Sequence, residues 1–218
     1  MRPRVVADHP AAIVDVAWSQ DGTSLATVGF ENQVRVYDVA TGQKSNSFNA
    51  SSEDMRTICF SQDDQHLAVG GRDGKVDMFN LATNQRVFSL PLHTRRVREL
   101  AFTENNQLVT CGDDRVVRVT DLKDITNTQA LPRHGGKLFT LCVLHDNLLA
   151  TGGSDDTIYV WNLTTMRQVG TLAGHTGTVA SLDYHDNVLV SGSFDTRVRF
   201  WTTEKMAQRN DMDTFRIR

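Results

Sequence analysis

The chain repeats itself about every 41 residues, and this period constrains its fold more than any other feature. The stretch TGGSDDTIYVW (151–161) returns as SGSFDTRVRFW (191–201), each time ending in tryptophan. Stepping back from Trp161 in the same frame reaches Thr120, Phe79 and Tyr37, so the five anchors lie 42, 41, 41 and 40 residues apart. An acidic residue stands six positions before each anchor: Glu31, Asp73, Asp114, Asp155 and Asp195. Histidines keep the same register at His9, His93, His134 and His175, with Ser51 where one is missing. A period of this length marks arrays whose units bury their apolar faces on one another.

Every unit has the same internal order. In the first, AIVDVAW alternates as a strand, SQDG turns, SLATVG is a second strand, FENQ turns, VRVYDV is a third, ATGQ turns, and KSNSFNA is a more polar fourth. Asp, Asn and Gly stand where a tight or left-handed backbone is required. Short strands at this spacing, without a competing helical period, indicate an all-β array. Four antiparallel strands per unit predict a β-propeller with five visible blades. One domain over 1–218 is expected, with an outer strand at 1–8 and blades at about 9–50, 51–92, 93–133, 134–174 and 175–218.

Gly174-His175, Trp161-Asn162, Tyr37-Asp38 and Thr120-Asp121, with the turn aspartates between, resemble the WD-repeat family from about residue 3 to about 201. The resemblance implies a hydrogen-bonded set of His, Ser or Thr, Asp and Trp within one blade. Blade four carries His134, Thr151, Asp155 and Trp161, and blade five carries His175, Ser191, Asp195 and Trp201. Blade three has Thr120 in the Trp position; blade one has His9, Thr27, Glu31 and Tyr37; blade two keeps little beyond Asp73. Blades four and five are therefore expected to be the stiffest, and blade two to rest on packing alone. Seven blades are usual in the family. The five seen here fit a closed five-bladed ring, part of a seven-bladed one, or an open ring completed by a partner. Pairing of the first strand with the TFRIR tail would close a ring and remove an exposed edge.

The same residues could be misread as chemistry. His, Asp and Ser together suggest a hydrolase triad or a metal site, but a set repeated in register cannot be one active site. GGRDGK (70–75) lacks the spacing and following helix of a phosphate loop. The doublets Asp63-Asp64 and Asp155-Asp156 read as turn chemistry rather than calcium ligands. No catalytic residue, metal or cofactor is expected, and no small-molecule substrate. The net charge of −3 does not suit a polybasic nucleic-acid binder, so direct nucleic-acid contact is not expected. No apolar run has the length of a signal peptide or membrane span. The three cysteines, Cys59, Cys111 and Cys142, have no zinc-ligand spacing and read as reduced thiols, which places the chain in the cytoplasm or nucleus. The sequons at Asn49 and Asn162 then carry no meaning.

The resemblance implies a rigid scaffold that presents loops to other proteins, as a subunit or adaptor of a complex. Blades one to three also resemble the WD-repeat subunit of an RNA-surveillance complex, and blades four and five resemble ubiquitin-ligase substrate receptors. Partners of the family often dock at the channel entrance, on the residue before each turn acid and on two early residues of the innermost strand. Carried over, these are Phe30, Arg72, Asp113, Ser154 and Phe194, then Val14-Asp15, Arg56-Thr57, Arg98-Glu99, Phe139-Thr140 and Ala180-Ser181. Arg56, Arg72, Arg95, Arg96 and Arg98, with Phe30, Phe139 and Phe194, are the candidate partner-binding residues. Arginines and aromatics of this kind would hold an acidic or phosphorylated peptide. The alternative is a solvated face, its arginines balanced by Glu53, Glu99 and Asp113 and its rings used in packing.

Overall fold

The structure is a computed structural model that describes residues 9–145 and 147–203, with the backbone of 215–217. All regular elements among the described residues are strands. The chain divides into two compact units, Met1–Phe102 and Thr103–Arg218.

In the first unit, β1 (Ile13–Trp18), β2 (Ser24–Gly29), β3 (Gln33–Asp38) and β4 (Lys44–Asn49) form one sheet in chain order. The strands β5 (Met55–Phe60), β6 (His66–Gly71), β7 (Val76–Asn80) and β8 (Gln85–Leu90) form a second. β9 (Val97–Phe102) ends the unit. In the second unit, β10 (Gln107–Gly112), β11 (Val117–Asp121) and β12 (Asp124–Ala130) continue the pattern, and the third sheet has the order β12-β11-β10-β9. The fourth sheet runs β13 (Leu138–Val143), β14 (Leu148–Gly153), β15 (Thr157–Asn162), β16 (Arg167–Ala173). The fifth runs β17 (Val179–His185), β18 (Val188–Ser193), β19 (Val198–Thr202).

Turn chemistry explains why consecutive strands pair antiparallel. The first turn of each blade places a residue in the left-handed region, Gly22, Asp64, Asn106 and Asn147, with two, Asp186 and Asn187, in the fifth. These are the residue types that tolerate positive φ. The turn after the second strand does the same at Gly74, Arg115, Asp156 and Thr196, one position past the turn aspartate. Gly74 is required for a further reason, since a Cβ there would lie 2.0 Å from the His93 carbonyl oxygen.

Each unit buries its apolar residues between neighbouring sheets. In the first, Ala26, Val28, Val34, Val36 and Phe48 meet Met55, Ile58 and Phe60. In the second, Ala150, Ile158 and Val160 meet Val179, Leu182 and Tyr184.

Two features depart from five uniform four-stranded blades. The fifth sheet has three strands among the described residues. The TFRIR segment does not serve it: β20 (Phe215–Ile217) adds to the fourth sheet, parallel to β16, with Gly170 opposite Phe215. The outer row of backbone groups on β16 is an open template for such a strand. The outer strand expected at 1–8 lies outside the described residues.

Candidate functional site

Two kinds of constellation were expected: sets inside blades, and a display of side chains at one end of the strands. Blade five holds its set as one continuous chain. His175 Nδ1 lies 2.8 Å from Asp195 Oδ2, His175 Nε2 lies 2.7 Å from Ser191 Oγ, and Trp201 Nε1–H donates to Ser191 Oγ at 2.9 Å. Burial opposes the charge of Asp195. The bonds from His175 and from the N–H groups of Thr176 and Arg197 outweigh it and hold the carboxyl well below its usual range.

Blade four contains the same four residue types with one link broken. Trp161 Nε1–H donates to Thr151 Oγ1 at 2.8 Å, and Thr151 Oγ1 lies 3.2 Å from His134 Nε2. His134 Nδ1, however, has no hydrogen-bond partner among the described residues. Asp155 instead accepts the Gly136 N–H at 3.2 Å and faces Tyr159. The Tyr159 ring stands edge-on to His134, with centroids 4.5 Å apart. Burial pushes the Tyr159 hydroxyl up, and the Asp155 charge adds to it. Burial lowers the pKa of His134 to about 4, against a smaller opposing pull from Asp155. The complete chain expected in blade four therefore ends at His134.

The residue responsible stands two positions before each anchor, where sequence reading assigned no role: Arg35, Asp77, Arg118, Tyr159 and Arg199. Arg35 joins the blade-one set, in which His9 Nδ1 lies 2.5 Å from Glu31 Oε1 and His9 Nε2 lies 2.9 Å from Thr27 Oγ1. Its guanidinium pairs with Glu31 and holds that carboxyl down. Asp77 is buried, and its Oδ2 accepts the Ser51 N–H at 2.5 Å, so blade two does not rest on packing alone. Arg118 pairs with Asp114 at 2.9 Å, and Arg199 donates to the Gly174 carbonyl at 2.7 Å. For Arg35, Asp77, Arg118 and Arg199 a charged residue among strand residues that are largely buried was the available signal; Tyr159 carried none.

The display of side chains has a backbone cause. The innermost strands shift register between Ile13 and Asp15, Met55 and Thr57, Leu138 and Thr140, and Val179 and Ser181. The skipped residues are Val14, Arg56, Phe139 and Ala180, the first of the two early innermost-strand residues in four of the five blades. Bulges re-aim side chains in this way.

In the first unit, Arg56 is ion-paired with Asp54, its Nη2–H donating to Oδ2 at 2.9 Å. Its guanidinium carbon sits 4.6 Å from the centroid of the exposed Phe30 ring. Arg72 is exposed and reaches the same carboxylate at 3.6 Å. The balancing charge for these two is thus Asp54 rather than Glu53. Arg95 is exposed, and Arg96 and Arg98 are half-buried. Burial pushes the Asp15 carboxyl up, although it accepts the Ile58 and Val16 N–H groups. In the second unit, Phe139 and the exposed Phe194 meet edge to face at 6.4 Å. A polar groove of about 450 Å³, lined by Asn105, Gln107, Asp121 and Asn147 among others, opens at the opposite end of these strands.

A family model described as the WDR19 first beta-propeller matches residues 5–138, and the WD domain, G-beta repeat, matches 126–162 and 166–202. This chain belongs to the WD-repeat β-propeller family. In this WD-repeat chain the in-blade sets recur with the blades and are elements of the repeat. The chain is similar to a solved structure, "Structure of U3-55K", at 22% identity and a TM-score of 0.83. The match covers 91% of this chain and 63% of that one, so this chain spans less than two-thirds of that protein's length. That likeness is one of fold. No curated protein matches the chain.

Proposed function

We propose that this WD-repeat chain is a non-catalytic interaction scaffold that holds an acidic or phosphorylated segment of another protein on its bulge-and-turn face, as a subunit or adaptor of a larger complex. The observation that carries the reading is the Phe30–Arg56–Asp54–Arg72 cluster. Two guanidinium groups share one carboxylate, so the cluster keeps a net positive charge. Arg56 is pre-oriented on an aromatic ring, which lowers the ordering cost of a bidentate bond to carboxylate or phosphate. Phe30, exposed beside Arg56, supplies an apolar anchor in the same unit. The reading has the chain in the cytoplasm or nucleus, where its three free thiols stay reduced.

The test is fluorescence anisotropy with a short labelled peptide rich in Glu and phosphoserine. Reversal of Arg56, Arg72 and Arg98 to Glu is expected to weaken binding by about tenfold or more. Unchanged affinity overturns the reading. Peptide contact through a few arginines gives a shallow salt dependence, whereas a labelled RNA bound in its place with a steep one favours a ribonucleoprotein role.

A further inference from the structure

The repeat supplies an internal standard for the residue just before each innermost strand. In four blades its backbone carbonyl accepts the N–H of the residue before the turn acid. Ala12 accepts from Phe30 at 3.0 Å, and Asp54 from Arg72, Lys137 from Ser154 and Thr178 from Phe194, each at 2.9 Å. The fold therefore uses only the main chain at this position. Alanine, lysine and threonine serve equally in three of these blades, and blade two alone of the four places a carboxylate there.

That carboxylate engages the two arginines of the candidate site, and engages them incompletely. Arg56 Nη2–H donates to Asp54 Oδ2 at 2.9 Å. Arg56 Nε and Asp54 Oδ1, both buried, touch as an ion pair but make no hydrogen bond. Arg72 Nη1 stands 3.6 Å from the same Oδ2, beyond hydrogen-bond reach, and its side chain is 65% exposed. Arg56 has a second support in the Phe30 ring, 4.6 Å from its guanidinium carbon, so Asp54 is not required to aim it. The main chain of residue 54 is fixed by the Arg72 N–H, which keeps the carboxylate beside both guanidinium groups. Asp54 thus stands where an acidic ligand would bind, and it leaves donors of both arginines unmet.

We infer that Asp54 is an internal stand-in for the ligand, and that the group able to replace it is a phosphorylated side chain rather than a carboxylate. The inference rests on the acidic-peptide reading above and narrows it. A Glu or Asp side chain from a partner offers Arg56 only what Asp54 already gives, and it loses freedom of motion in doing so. A phosphoserine or phosphothreonine carries about −1.5 to −2 charge and three strong acceptor oxygens. It can therefore take over the Arg56 hydrogen bond and bond Arg72 at the same time, which Asp54 does not do. Both guanidinium groups already approach a single carboxylate oxygen, so one phosphate is large enough to span them.

The experiment is fluorescence anisotropy on the full chain with three short labelled peptides of Gly, Ser and one Leu. They differ only at a central position, which is phosphoserine, Glu or Ser. The wild type is expected to bind the phosphoserine peptide about tenfold or more tighter than the Glu peptide. Asp54→Asn keeps the shape and an acceptor for Arg56 but removes the charge, and is expected to tighten both anionic peptides by roughly fivefold while leaving the Ser peptide unchanged. Asp54→Thr, which installs the residue that blade five uses at this position, serves as a second variant, and circular dichroism checks the fold of each. Arg72→Gln is expected to bring the phosphoserine peptide down to the level of the Glu peptide. A Glu peptide bound as tightly as the phosphoserine peptide, or folded Asp54 variants that bind the anionic peptides no better than the wild type does, overturns the inference and leaves the acidic-peptide reading standing. A phosphoserine peptide bound no better than the Ser peptide overturns both.

Discussion

Blades four and five carry the same four residue types at the same spacing, yet they differ in electrostatics. In blade five, His175 bridges a hydroxyl and a carboxylate, and the chain of bonds runs from Asp195 to the Trp201 indole. In blade four, Tyr159 stands edge-on to His134, Asp155 Oδ2 accepts the Gly136 N–H, and the imidazole is left buried with one satisfied nitrogen. The corresponding residue in blade five, Arg199, turns to the Gly174 carbonyl and leaves Asp195 to the histidine. One neighbouring side chain therefore decides whether the conserved-looking set is a connected network or a buried neutral histidine. A buried network contributes fully only when each member is satisfied.

The contrast is broken most directly by removing the central hydroxyl. Thr151→Val strands His134 Nε2 and Trp161 Nε1 in a dry site, at roughly 2 kcal/mol for each unsatisfied group, or about 4 kcal/mol of unfolding free energy. Ser191→Ala likewise strands His175 Nε2 and Trp201 Nε1 but leaves His175 tied to Asp195, and is expected to cost less than the roughly 4 kcal/mol of Thr151→Val. Urea titrations of the two variants compare them, and equal losses would mean that the carboxylate link adds nothing in blade five.

Acid sharpens the comparison. His134 has a folded-state pKa of about 4, below the roughly 6.5 of an unfolded histidine. As pH falls below about 6.5 the unfolded chain takes the proton first, so stability is lost between about pH 6.5 and pH 4, by on the order of 3 kcal/mol. His134→Gln is expected to flatten that window in denaturant midpoints measured against pH. Asp195 has the opposite character: its depressed pKa stabilises the fold above the unfolded carboxyl value, and that contribution is lost only as pH falls below about 4. A slope that survives His134→Gln would assign the loss elsewhere.

The finest distinction is a pair of double-mutant cycles. His134→Ala with Asp155→Ala is expected to be additive within about 0.5 kcal/mol, since the two groups share no bond. His175→Ala with Asp195→Ala is expected to show coupling outside that range. Additivity in both blades would mean that the 2.8 Å His175–Asp195 contact contributes no stability.

The blade register, the strand order within each sheet and the turn residues were legible because each depends on local rules. Period-two alternation sets which face of a strand is buried, and Asn, Asp or Gly marks the left-handed positions. The set in blade five was legible for the same reason, because its four members keep a fixed spacing. The break in blade four was not, because hydrogen bonding there depends on which of two neighbours a carboxylate reaches, a matter of rotamer and packing rather than spacing. The pairing of Arg56 and Arg72 with Asp54 is of the same kind: Glu53 and Asp54 are adjacent letters in the bend before β5, and the path of the backbone there, which no spacing rule encodes, brings the Asp54 carboxylate to both guanidinium groups.

By itself, then, the order of residues determined an all-β array of WD blades and the five-fold register of its anchors, because backbone hydrogen bonding and alternate burial repeat with the chain. Only the tertiary structure decided which sets are connected, where the TFRIR strand pairs, and that Asp54 meets both Arg56 and Arg72. Those outcomes depend on which surfaces meet in space, and no local pattern along a chain encodes that.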